Sequence, residues 1–216
     1  MAETLLRSQQ AFGGDGWQPA KGSWSYASAS TITVPSGAAS LYQIGDRIKW
    51  TQTTVKYGVI VGVADTLLTI AVNTDYTVAN AAITANYYSH QANPIGYPTT
   101  FAYTTTYTGF SANPTGTVTR FSVLGNICTL WGSDSGNGTS NSTNKTFTAP
   151  IVSAASRPTA VFAWMRNNNA QVHSSALLGS ASTTVNCYLG PAVGTAWTAS
   201  GNCRLLNSGL VLIYEI

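Results

Sequence analysis

Charge is scarce in this chain. Only 8% of its 216 residues are Asp, Glu, Lys or Arg, against about 25% in ordinary soluble domains. The ten basic and seven acidic groups leave a net charge of +3 and are spread along the sequence. No Lys/Arg cluster occurs, so the basic stripe that releases counterions from a phosphate backbone is missing and no nucleic-acid partner is expected. A surface this poor in charge has little electrostatic protection against association. That composition favours a protein whose surface is largely covered by partners.

Histidine and cysteine are equally sparse. His90 and His173 are too few for a histidine-built metal site, and Cys128, Cys187 and Cys203 are widely spaced with no C-x-x-C pair. The three cysteines read as small buried residues. Gly-rich phosphate loops are absent, so no metal and no cofactor is expected. No apolar run approaches the ~18 residues of a membrane span, and none is expected. The segment Met1-Ala-Glu-Thr-Leu-Leu-Arg-Ser8 has no apolar stretch of the secretory kind. Synthesis in a cytoplasm without a signal peptide is the expectation.

The acids are Glu3, Asp15, Asp46, Asp65, Asp75, Asp134 and Glu215. Hydrolysis needs a carboxylate pair or a nucleophile with a base. Asp46 and Asp65 fall in expected turns, where Asp serves the backbone. Gly132-Ser-Asp-Ser-Gly136 has Asp134 where a nucleophile elbow requires serine. Neither histidine lies near an acid in sequence. The expectation is therefore a protein that is not an enzyme. Asn137, Asn141 and Asn144 begin N-x-Thr triplets, which read as by-products of local composition.

What is abundant is Thr (30) and Ser (22), with 20 Gly and 8 Pro. These residues disfavour long helices and, with β-branched neighbours, favour strands and turns. The expected fold class is all-β: a small β-barrel-like domain followed by a jelly-roll-like β-sandwich. Residues 1–14 read as a docking arm, too short to be helical alone. Residues 15–96 carry strand patterns at Ser23–Tyr26, Thr31–Val34, Arg47–Thr51, Tyr57–Val63, Leu67–Val72 and Ile83–Tyr88. The apolar run 59–63 fits a central strand or an interface. Gln91-Ala-Asn-Pro-Ile-Gly-Tyr-Pro98 interrupts the pattern. Residues 97–216 hold about eight more strands, with a Gly125-Asn126 hairpin turn. Ser133–Asn144, almost all Gly, Ser, Asn and Thr, reads as an exposed loop.

Six Trp and 11 Tyr supply flat rings with polar edges, suited to interfaces and to sugar rings. Trp197, in the Gly/Thr/Ala/Ser stretch 194–201, is the foremost candidate for an exposed ligand contact. Trp164 with its neighbour Arg166 is the next.

Two stretches resemble known proteins. Asp15-Gly-Trp-Gln-Pro-Ala-Lys-Gly-Ser-Trp-Ser-Tyr26 and its continuation to Val34, with Gly45-Asp-Arg-Ile-Lys-Trp-Thr51 to Tyr57 and Ala82-Ile-Thr-Ala-Asn-Tyr-Tyr88, resemble a module of bacteriophage tail and minor structural proteins. Arg120-Phe-Ser-Val-Leu-Gly-Asn-Ile-Cys-Thr-Leu130 is similar to a hairpin pattern in C-terminal domains of phage fibre-like proteins. The resemblance carries no catalytic residues. It implies a virion component of a tail, baseplate or head fibre, commonly trimeric. The arm would meet other virion proteins, and the distal domain could meet a host glycan or surface protein. A receptor-binding lectin-like module is the first alternative. A glycan depolymerase is the second.

Overall fold

The computed structural model describes residues 14–190, 196–207 and 209–216. The expected arm lies outside them except for Gly14. The chain divides into two compact units, residues 1–101 with 123–126, and residues 102–122 with 127–216. Each is built from antiparallel strands, and the all-β expectation holds.

The first unit contains β1 (Gln18–Pro19), β2 (Ser25–Ser28), β3 (Thr31–Thr33), β4 (Arg47–Gln52), β5 (Thr54–Ala64), β6 (Leu67–Val72) and β7 (Thr84–Ser89). They form one sheet in the order β1-β7-β4-β5-β6-β3-β2. The sheet is open, which corrects the barrel-like expectation. Its two ends, β1 and β2, do not pair with each other. β1 is only two residues long and ends in Pro19, which has no N–H to give to a further ladder.

β4 shows why these residues make strands. Ile48, Trp50 and Gln52 alternate onto one face, and all three are buried. Ile48 and Trp50 join Trp24, Ile32, Ile60 and Leu68 in the core. Gln52 is tolerated there because its amide is fully used. It accepts from Trp50 Nε1 and donates to the carbonyls of Ala79 and Ala81. β5 is the central strand of the sheet, which accounts for its apolar run with no need of an interface. The turn between β5 and β6 holds only Asp65 and Thr66. Asp65 accepts from Ser36 Oγ and Gly37 N, and those bonds hold its carboxyl below the usual carboxylate range.

The later strands are β8 (Phe101–Ala102), β9 (Tyr107–Thr108), β10 (Phe110–Ala112), β11 (Val118–Leu124), β12 (Ile127–Ser133), β13 (Gly138–Ser140), β14 (Lys145–Thr148), β15 (Thr159–Asn167), β16 (Ala170–Leu178), β17 (Thr184–Leu189), β18 (Asn202–Cys203) and β19 (Leu210–Glu215). They form a four-stranded sheet β19-β12-β11-β8, a five-stranded sheet β15-β16-β17-β14-β9 and a small sheet β10-β13-β18. Leu130, Leu212 and Tyr214 from the four-stranded sheet, and Phe147, Met165, Leu178 and Val185 from the five-stranded one, are buried. This is a sandwich-like arrangement. At the Gly125-Asn126 turn only Gly125 takes positive φ, at 58°.

Residues 133–144 depart from the exposed-loop expectation. Gly138–Ser140 is a strand between β10 and β18. Asp134 is buried and accepts from Tyr107 Oη at 2.5 Å, Thr117 Oγ1 at 2.8 Å and Leu206 N at 3.1 Å. Composition gave no sign of this, because the pairing is made by backbone groups that every residue carries.

Candidate functional site

Each of the three candidate contact residues has a definite place. Trp197 is not on an exposed loop. It is 2% exposed, and its Nε1 donates to the carbonyl of Cys187 at 2.7 Å. A buried indole needs such an acceptor, and the small residues around Trp197 let the chain pack down rather than stand out. The expectation of a ligand contact there is corrected.

Trp164 and Arg166 lie on β15, on the same side of the strand as Phe162. Phe162 is 69% exposed and Trp164 43% exposed. Trp164 pairs in register with His173 on β16 and packs against its ring. Arg166 is half-buried, and its Nε has no hydrogen-bond partner. The structure thus brings Trp164 and Arg166 together on one face and removes Trp197 from it.

The outer face of the four-stranded sheet was not singled out by the sequence reading. Val118 on β11, Ile127 and Trp131 on β12, and Val211 and Ile213 on β19 all project from it. They are 37–56% exposed. Trp131 pairs with Val211, and Ile213 with Thr129. Arg120 shares this face and, with Trp131 and Val211, lines a shallow depression of about 200 Å³. On an ordinary solvated sheet face these positions are polar. Clustered apolar side chains of this kind are a feature that interaction surfaces share. The signal was present as strict alternation of two apolar sets along 210–214, where both faces of the strand are hydrophobic.

One polar pair joins residues far apart in sequence. His90 Nδ1 lies 2.8 Å from Asp46 Oδ1, with the Asp46 side chain 1% exposed and that of His90 44% exposed. Asp46 Oδ2 also accepts from Gln43 N. The pair orients an imidazole at the edge of a depression that Ser40 also lines. Ser40 Oγ, however, donates to the Gly37 carbonyl at 2.7 Å, so it is engaged by the backbone. The arrangement reads as a buried carboxylate satisfied by a turn amide and a ring nitrogen.

Lys145 is another buried charge. Its Nζ donates to Gly109 O, Ser140 Oγ and Ser142 O, and lies 4.9 Å from the Phe110 ring centroid. Burial lowers its pKa below the usual lysine value. All three of its donors are used, so it ties the 138–146 segment to β9 and β10 rather than facing a ligand. Among the described residues no three His, Cys, Asp or Glu side chains cluster as metal ligands, and no helix is long and apolar enough to cross a membrane.

No family model, curated protein or solved structure matched the chain.

Proposed function

We propose that this chain is a non-enzymatic structural component of a bacteriophage virion, a tail, baseplate or head-fibre appendage, assembled as a homotrimer. The apolar outer face of the β11-β12-β19 strands carries the reading. Five large apolar side chains on one solvent-facing sheet surface are costly to leave wet at about 25 cal/mol per Å². A second copy of the same chain is always present during assembly and can cover them. The low charge of the chain works in the same direction. The phage resemblance of residues 15–88 and 120–130 supplies the setting, and residues 1–14 are the proposed attachment to other virion proteins. The test is to decorate intact particles with gold-labelled antibody against the chain. Label at a fixed position on the tail or head supports the assignment, and particles free of both label and chain sink it.

A further inference from the structure

We propose that the outer face of the five-stranded sheet is a carbohydrate-binding site, seating a neutral oligosaccharide across β14, β17, β16 and β15. The site is distinct from the apolar face above.

Register builds it. One row across the sheet runs Thr108, Thr146, Asn186, Leu177 and Ala160. The adjacent row runs Tyr188, Ser175 and Phe162, and the next holds His173 and Trp164. The face therefore grades from hydroxyl and amide groups on one side to exposed aromatic rings on the other. Asn144, Thr146, Asn186 and Tyr188 line a depression of about 470 Å³, within the usual size of ligand pockets.

The chemistry is that of sugar recognition. A pyranose has apolar C–H faces and a rim of hydroxyls that both donate and accept. A side-chain amide answers such a rim, since it too does both. An aromatic ring answers the C–H face. The amides of Asn144 and Asn186 and the phenol of Tyr188 have no hydrogen-bond partner among the described residues. Ser175, between Phe162 and Tyr188, is 2% exposed with an unpartnered Oγ. Such an orphan costs about 1–3 kcal/mol, and it lies between the two rings that frame the site.

Within the depression, charge disfavours an anionic ligand. The cation lining the depression is Lys145, and its ammonium is turned inward onto three protein acceptors. Among the described residues no other cation lines that depression; Arg166 lies on the same face farther off, on β15, and heparin is the anionic control for it. Phe162 lies two strand spacings from Tyr188, about 10 Å, so a chain of several rings reaches both.

Saturation-transfer NMR on the full chain tests this with hexasaccharides of glucose, galactose, mannose and N-acetylglucosamine, and with heparin as an anionic control. The expected result is transfer to at least one neutral hexasaccharide, weakened tenfold or more in Tyr188→Ala and in Asn186→Ser. Phe162→Ala should weaken the hexasaccharide but not the matching disaccharide. Val55→Thr, an exposed position on the first unit's sheet, should bind as the parent does. Tyr188→Phe keeps the ring and guards against a folding artefact, and it should retain most of the binding. No transfer to any neutral sugar, transfer to heparin alone, or binding unchanged in both Tyr188→Ala and Asn186→Ser would overturn the proposal.

Discussion

The indole Nε1 of Trp197 donates to the backbone carbonyl of Cys187 at 2.7 Å, and both residues are buried. The bond closes the segment leading to β18 onto β17. Trp197→Ala removes a large buried ring and leaves the Cys187 carbonyl without its donor. The expected cost is about 3–5 kcal/mol, read as a lowered midpoint in chemical unfolding. Trp197→Phe keeps most of the packing and loses the bond, so its cost should be smaller, about 1–3 kcal/mol. If Trp197→Ala unfolds at the parent midpoint, the indole is not part of the core.

The thiols should be inert while the protein is folded. Cys128, Cys187 and Cys203 are free and buried, and burial pushes the Cys128 thiol up to about 12 and Cys187 higher still. Reactivity needs thiolate and access; all three lack access, and Cys128 and Cys187 lack thiolate as well. Alkylation at neutral pH should occur only at the rate of unfolding, with the three sites labelled together in denaturant. Fast labelling of Cys187 in native buffer would contradict this packing.

Alkaline pH should unfold the protein. Burial, the largest influence on each, raises the phenols of Tyr97, Tyr103, Tyr107 and Tyr214 above their ordinary value. The unfolded chain then loses these protons first, near pH 10. Since the folded state retains more protons above that point, stability falls as pH rises beyond about 10. Thermal midpoints should be flat with respect to these groups below that pH and should drop above it. Phenolate absorbance from the buried set should appear together with loss of structure. Full titration of all tyrosines with the fold intact would be the contrary outcome.

Sequence reading located the long strands well because alternation is a local signal. Arg47-Ile-Lys-Trp-Thr51 and Leu67–Val72 lie within β4 and β6. What it missed depends on distant partners. β13 and β18 are two or three residues each, and they are strands only because β13 pairs with β10 on one side and with β18 on the other. Asp46 and His90 are 44 residues apart, so no spacing rule could join them. Trp197 was misplaced for a related reason: its neighbours have turn-like composition, but the acceptor for its N–H lies on another strand. The apolar outer face of β12 and β19 shows in sequence only as the unbroken apolar run 210–214, and register was needed to put Trp131 beside Val211.

That face is where the account is most exposed to test. Sedimentation velocity of the full chain, over a hundredfold range of concentration, should give a species three times the 22.7 kDa mass of one chain. The double variant Trp131→Lys/Ile213→Lys places two charges on the apolar face without touching the core. It should sediment as a folded monomer, with an unchanged far-ultraviolet dichroism spectrum. A parent chain that stays monomeric at every concentration, or a double variant that assembles as the parent does, would contradict the claim that copies of this protein meet through the outer face of β11, β12 and β19.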